Sequence, residues 1–566
     1  MVYANTLNNK FALDDDVVYL KNSYVQAGTD GIKDIFTHGF LHGYNQRNDQ
    51  SYRPLVLFNF AIEHQIFGNN PKAHHFFNIV FFSLLCLILF QLLNLLFQKQ
   101  NKWMAFWIVL LFIAHPIHTE VVANIKGRDD LLHSIFYLLT IKRMLQYFDT
   151  KNKKHLFWSL LFLFFAALCK EIAITLVAIV PLSIYVFREV KLIDAIKKST
   201  WLVVPVVAYF LLRNQILDNI AFEDKMTVIN NGIAAGSNFQ EQLALKFSTF
   251  AKYIQLLFFP IELSWDYSYP YFPIVSLFNP KVLLIAILSI LVSVWSIYAV
   301  IKTKNKVAYG VLFFLISFSI VSNFFILIGA TLGERFLFLP SIGFLISIVF
   351  LLNILLQNIG INVKKQKQYL GITVAFIAVL LSIKTINRNR DWKNSDTLFK
   401  SGYQVTPTSS RSVLAYAAVY RGQAERSTNP QVRLSNFNKA IQLYIESINL
   451  LDEVSDSWYN LGVCYQAINK PQEAVKVYLR ALEINPNDIN SNNNLGVIYF
   501  QSKNYEEAKK YFNRCIEIND SFAAAYANLG AINHNQGHVE IAKQFYLRAL
   551  QLNPNDQNTK ANLSKL

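Results

Sequence analysis

The sequence predicts an all-α chain in two parts: a polytopic membrane domain of helices, then an α-solenoid of short repeats. Three observations carry this. Of 566 residues, 53% are hydrophobic and only 16% are charged, against about 25% charged in an ordinary soluble domain. Runs such as FFNIVFFSLLCLILFQLLNLLF and VLLIAILSILVSVWSIYAV carry no charge and reach the ~20 residues a helix needs to cross a bilayer core. Beyond about residue 388 this character gives way to a period of 34 residues.

In chain order, the first part (1–387) offers about ten spans, near 73–97, 103–114, 131–148, 155–169, 172–187, 200–213, 280–302, 306–328, 336–357 and 368–386. The loops QKQNK, KRMLQYFDTKNKKH, REVKLIDAIKK, KTKNK and VKKQKQ carry 17 Lys or Arg against three acids, Asp149, Glu189 and Asp194. Positive loops stay on the cytoplasmic side. The alternate loops then face outward: 1–72, 115–130, the CKE turn at Lys170, 214–279 and 329–341, together with everything after 387. This parity requires the apolar stretch 244–263 to lie in the interface or re-enter. Much of the net charge of +16 sits in the cytoplasmic loops, so it is no argument for nucleic acid. The four cysteines, Cys86, Cys169, Cys464 and Cys515, form no CxxC motif and leave the redox compartment open.

The second part (388–566) repeats itself. Gly462, Gly496 and Gly530 recur at one position, Ala474, Ala508 and Ala542 at another, and Tyr478, Phe512 and Tyr546 at a third. Small residues where two helices touch, large ones in the gaps and a closing Pro are the tetratricopeptide signature. Three units are clear from about 458, and Ala440 with Tyr444 marks a degenerate one before them. Such a stack offers a groove for protein segments.

The chemically suggestive residues all fall in the outward loops. FALDDDVVYLKN sets Asp14, Asp15 and Asp16 side by side, which without context is a solvated turn. HPIHTE supplies His115, His118 and Glu120, but without the HExxH spacing of a zinc site, so no metal ligands are assigned. Arg128 with Asp129 and Asp130, Lys170 with Glu171, and Glu334 with Arg335 lie close to apolar runs, where charge is costly and marks a site or a pair. Cations (Arg53, Arg128, Lys170, Arg335) and carboxylates gathered at one interface suit an anionic, lipid-borne donor. Cations would stabilise a departing phosphate and a carboxylate would activate a hydroxyl. From the residues alone, an enzyme or transporter using an anionic substrate both remain open.

The fragments NKFALDDDVVYLKN, YRPL, FGNNPKAHHFFNIVFF, LFIAHPIHTEVVANIKGRDDLL, CKEIAIT and GERFLFLPSIGF, followed by tetratricopeptide repeats, resemble the transmembrane and tetratricopeptide-repeat-containing protein O-mannosyltransferases, which have a GT-C glycosyltransferase fold. The resemblance implies transfer of mannose from a polyprenyl-phosphate carrier to Ser or Thr hydroxyls of exported proteins, with no certain cofactor and divalent-metal dependence unspecified. It implies Asp14 and Asp15 as catalytic carboxylates and Asn22 as the close of their motif. Arg53, His115, His118, Glu120, Arg128, Asp130, Lys170, Glu171, Glu334 and Arg335 are the substrate-binding candidates. Asp129 stands where the family has a small residue, which leaves open whether it or Asp130 faces the site. The family also has a transmembrane helix before the acidic loop, whereas this chain begins MVYANTLNNKF, so a helix is expected upstream of Met1. The partners expected are the lipid-linked sugar and a protein or peptide acceptor in the repeat groove, with no nucleic acid. Lys- and Asn-rich composition points to a bacterial inner membrane with the active face and repeats on the periplasmic side. The alternatives are a GT-C enzyme glycosylating a lipid or cell-surface polysaccharide, or a membrane-anchored repeat scaffold.

Overall fold

The computed structural model describes residues 2–47, 49–97, 102–188, 190–217, 226–359 and 362–566. Most of the QKQNK loop, Glu189 and part of the 214–279 loop lie outside the described residues. The chain forms two compact units, Met1–Thr406 and Pro407–Leu566, and among the described residues every regular element is a helix.

Among the described residues of the first unit, five helices are long and apolar enough to cross a membrane: Pro71–Leu96, Leu192–Leu217, Pro280–Thr303, Ser341–Asn358 and Val363–Asp391. A sixth arises if Trp103–Ala114 and Pro116–Ala123, bent by 55°, count as one. The bend has a local cause, since Pro116 forces His115 out of helical geometry into an extended conformation. Glu171–Phe187 and Lys306–Val321 are shorter apolar helices. The expected spans at 131–148 and 155–169 fall in the helices Arg128–Thr150 and Lys153–Cys169. Neither meets the length and apolarity of a span. The first opens on three charged residues and is buried along most of its length, and the second has 17 residues. The Pro280–Thr303 helix shows the opposite pattern, with Leu284, Ile290, Leu291 and Val294 each more than half exposed. So large an apolar surface is tolerated where lipid is the solvent.

The boundary of the first unit falls at Thr406 and not at 387. The Val363–Asp391 helix continues through NRNRD, and the next helix, Ser395–Val405, packs back on the same unit. A Cβ on its Gly402 would meet Trp265 Nε1 at 2.3 Å, and Thr406 Oγ1 lies 3.0 Å from Ser264 Oγ.

The second unit is a run of helical hairpins. Ser455–Ala467 pairs with Pro471–Ile484, Ile489–Gln501 with Tyr505–Ile518, and Ala523–Asn535 with Val539–Leu552. Ser410–Arg426 and Pro430–Leu450 form the degenerate unit before them, with Ala440 and Tyr444 fully buried. The repeated glycine follows from close approach, since a Cβ on Gly462, Gly496 or Gly530 would lie 2.4, 2.6 or 2.7 Å from the ring of Tyr478, Phe512 or Tyr546. The repeated Asn460, Asn494 and Asn528 are half-buried. They are hydrogen-bonded within the unit to Arg421 (2.8 Å), the Tyr478 hydroxyl (3.0 Å) and Asn493 (3.4 Å).

Candidate functional site

The three consecutive aspartates of the first loop have three different fates. Asp16 is half exposed and pairs with Lys21 at 2.9 Å. Asp15 is buried, its Oδ2 accepting from the Ala12 N–H at 2.9 Å and its Oδ1 from the Lys126 N–H at 2.8 Å. Burial pushes the Asp15 carboxyl up to about 7, while those two backbone donors pull it back. Asp14 is half-buried, and its carboxylate has no hydrogen bond or ion pair among the described residues. The chain enters Asp14 from Leu13, whose φ of 55° lies in the left-handed region. Asn22 ends the motif by capping Ser23–Gln26, accepting from the Tyr24 and Val25 N–H groups.

The Lys126 contact joins this loop to the second outward loop and brings Asp15 beside a cavity of about 230 Å³. Arg53, Lys126, Lys170 and Arg335 line it with one acid, Glu171, and with Ile172, Ile320, Val321, Ile328 and Phe336 as apolar walls. Each cation comes from a different element. Arg53 stands at the start of the Pro54–Phe67 helix, and Lys126 is in the Ile125–Gly127 turn. Lys170 is the extended residue that ends Lys153–Cys169, and Arg335 lies in the Glu334–Leu337 turn.

Acids behind the cavity hold these cations. Arg53 donates to Asp129 and to Glu171, both at 3.1 Å. Asp129 also holds Lys126 at 3.3 Å, and Asp130 holds Lys170 at 2.6 Å. Lys170 therefore pairs with Asp130 and not with its neighbour Glu171. Glu120 is buried and binds Arg335 through both its guanidinium and its backbone N–H. Buried charges survive when paired in this way, and among the described residues the donor Arg53 Nε and the acceptors Asp130 Oδ2 and Glu171 Oε1 are left over. Burial works against the Arg335 charge, but the carboxylates of Glu120, Asp14 and Asp130 outweigh it and raise its pKa. Burial lowers the Lys126 pKa, while Asp129 and Asp14 oppose that shift. The free Asp14 carboxylate thus sits in the field of two cavity cations.

Eight of the twelve candidates are not among the residues that line the cavity: Asp14, Asp15, Glu120 and Asp130, already described, and Arg128, His115, His118 and Glu334. Arg128 is fully buried, bound to Glu63, to Asn78 at 2.6 Å, to Asn59 and to the His74 carbonyl at 3.0 Å, between the rings of Phe60 and Phe81. It ties three helices together. His115 engages the Leu257 carbonyl (3.0 Å) and the Ile117 N–H (3.2 Å), and His118 engages the Phe112 carbonyl (2.8 Å) and Ser341 Oγ (2.9 Å). Both rings are buried with both nitrogens used. Glu334 turns away from its neighbour Arg335, accepting from the Ser264 N–H at 2.7 Å and the Tyr267 hydroxyl at 2.8 Å. Burial raises it to about 7. Lys126 was not singled out from sequence, although it sits two residues before Arg128 in the same loop. Among the described residues no group of three His, Cys, Asp or Glu side chains is placed to hold a metal ion.

The chain is therefore a helical membrane protein with a mixed acid and cation site, followed by a tetratricopeptide solenoid. The tetratricopeptide repeat family models match residues 455–488, 490–522 and 523–556. Most of the chain is homologous to proteins named protein O-mannosyl-transferase. It is similar to TMTC3 of Mus musculus (24% identity, 83% of this chain, 52% of the relative) and to TMTC4 of Homo sapiens (25%, 72% and 61%). It is also similar to F38B6.6 of Caenorhabditis elegans (26%, 72% and 57%). The chain thus spans between 52% and 61% of the length of these relatives. Among solved structures, the crystal structure of MamA is similar at 19% identity over 32% of this chain and 95% of that one, with a TM-score of 0.25.

Proposed function

We propose that this chain is an integral-membrane glycosyltransferase. It moves mannose from a polyprenyl-phosphate carrier to Ser or Thr hydroxyls of exported proteins at the outer, periplasmic face of a bacterial inner membrane. The observation that carries this reading is an Asp14 carboxylate with no partner among the described residues, in the field of Lys126 and Arg335, two of the four cations that line a cavity together with one acid. The carrier phosphate enters that cavity with the sugar towards Asp14. The acceptor hydroxyl oxygen attacks the anomeric carbon of mannose while its proton passes to Asp14. The bond from that carbon to the phosphate oxygen breaks, and its electron pair leaves with the carrier. Arg53, Lys126, Lys170 and Arg335 offset the growing negative charge, and a fixed array of donors needs no reorganisation as the charge develops. Asp15 positions the Lys126 loop, and Asp129, Asp130, Glu120 and Glu171 position the cations. The names of the relatives support mannose and a protein acceptor, and the repeats supply a groove of the kind that captures polypeptide.

The test is transfer of labelled mannose by the purified full chain in detergent, from polyprenyl-phosphate mannose to a Ser/Thr peptide. The expected result is labelled peptide, lost with Asp14→Asn. Label that enters only lipid or glycan acceptors assigns the enzyme to those substrates, and no turnover of the donor assigns the chain to scaffolding.

A further inference from the structure

The segment before Asp14 is fastened along its length to the end of the last long helix and the turn after it. Asn389 Nδ2 donates to the Val2 carbonyl at 2.9 Å and to Asn5 Oδ1 at 2.7 Å, and Asn5 Nδ2 donates to the Ile386 carbonyl at 2.9 Å. Asn9 Nδ2 reaches the Asn389 carbonyl at 3.3 Å, and the Lys10 N–H donates to the Lys393 carbonyl at 2.8 Å. The last link is the Leu13 N–H, which donates to Ser395 Oγ at 3.2 Å. The Leu13 side chain packs with Trp265 and Phe399 against fully buried Trp392 and Leu398.

This clamp runs parallel to residues 386–395 and stops one residue short of Asp14. Its last member, Leu13, holds a φ of 55°, a conformation that a leucine rarely adopts. Such a conformation persists only where the surroundings over-determine it. Relaxation of Leu13 would redirect the very next residue, and Asp14 has no side-chain partner of its own to resist. The Asp15 anchors act one residue downstream, on its carboxylate.

From this geometry we infer that Ser395 is a positioning residue for Asp14: its hydroxyl holds Leu13 in the left-handed turn that sets the direction of the Asp14 carboxylate. The inference rests on the reading of Asp14 as the base. It makes the link between the membrane helices and the repeats part of the catalytic unit and not a tether.

The test compares Ser395→Ala, Ser395→Thr and Asp14→Asn in the full chain, with rates normalised to folded protein by thermal melt in detergent. A misaimed group costs about 10- to 100-fold in turnover. Ser395→Ala should therefore lower kcat by that amount, leave KM for lipid donor and peptide within twofold, and melt as the parent does. Ser395→Thr, which keeps the hydroxyl, should restore kcat. If Ser395→Ala does not accumulate as folded protein, Asn9→Ala, which cuts the same clamp, takes its place with the same expected split. Asp14→Asn inactive with Ser395→Ala at full kcat overturns the positioning role and leaves the base assignment standing. So does a loss that Ser395→Thr fails to restore. An active Asp14→Asn removes the base assignment and the inference with it.

Discussion

Asp15 Oδ1 accepts the backbone N–H of Lys126 at 2.8 Å, so a buried carboxylate of the first loop fixes the turn that carries a cavity cation of the second. This contact separates two neighbours that look equivalent in sequence. Asp15 is committed to structure, and the Asp14 carboxylate has no partner among the described residues.

Substitution should separate them further. Asp15→Ala leaves the Ala12 N–H without its acceptor, at a cost of about 1–3 kcal/mol, and leaves the Lys126 N–H with only its longer bond to Asn124 Oδ1 at 3.2 Å, so it should lower the melting temperature in detergent. Asp14→Asn should leave the melt unchanged and cut turnover about 100-fold or more, the scale of general-base loss. Asp16→Asn should do neither. A thermal melt and a transfer assay on each variant decide the matter, and the reverse pattern would exchange the two roles.

Arg128 and Lys126 should part in the same way. Arg128→Ala leaves Glu63 with only His74, at 2.7 Å, as a partner in the interior and should cost about 3–5 kcal/mol. Arg128→Lys should recover little, because a single ammonium cannot meet Glu63, Asn59, Asn78 and the His74 carbonyl together. Lys126→Ala removes one cation from the cavity and should weaken lipid-donor turnover with a smaller change in melting temperature. An Arg128→Ala protein that melts normally would contradict the keystone role.

The contribution of Glu334 and Asp15 to stability should fall as pH rises from about 4.5 to about 7, against the opposite contribution of His115, which burial holds at about 4. Burial, reinforced by Glu120, raises Glu334 to about 7, and burial likewise raises Asp15 to about 7. Across that window these two groups bind more protons in the folded state than in the unfolded chain, whose carboxyls titrate near 4. By linkage, their contribution is whole below the unfolded value and is lost as pH passes through the folded one. Glu334→Gln keeps an acceptor for the Ser264 N–H and removes the titration, so its melting temperature should lack this falling component and give a more positive slope against pH than the parent's. Equal slopes for parent and variant between pH 5 and 8 would place the dependence elsewhere.

The repeats were legible because their rule is local. A glycine facing an aromatic ring every 34 residues leaves the same mark each time. Several site loops were legible too, since charge beside apolar runs is conspicuous, and Arg53, Lys170, Glu171 and Arg335 do line one cavity. What sequence could not resolve was direction. Lys126 and Arg128 lie two residues apart at a tight turn, and their different fates depend on Glu63 and Asn78, more than 45 positions away. The histidines of HPIHTE satisfy carbonyls at Phe112 and Leu257, partners with no signature of their own. The role of residues 389–395 was hidden for the same reason, because the clamp on the first loop spans nearly the whole first unit.

The second unit should serve acceptor capture. Asn460, Asn494 and Asn528 are half-buried; Asn460 and Asn528 each make one hydrogen bond to a neighbour in the unit and Asn494 makes two. An amide side chain offers two donors and an acceptor with two lone pairs, so each keeps capacity for an extended peptide backbone. Binding there would raise the local concentration of acceptor hydroxyls, an effective-concentration gain of a tethered site. Removing residues 407–566 at the boundary of the two units should leave transfer to a short Ser/Thr peptide at high concentration largely intact. Transfer to a full protein acceptor should weaken, chiefly through a higher apparent KM. Ala at all three Asn positions in the full chain should reproduce part of that effect without changing the melt of the first unit. Equal loss with peptide and protein would mean that the repeats support the catalytic unit, and no loss with either would assign them to another partner.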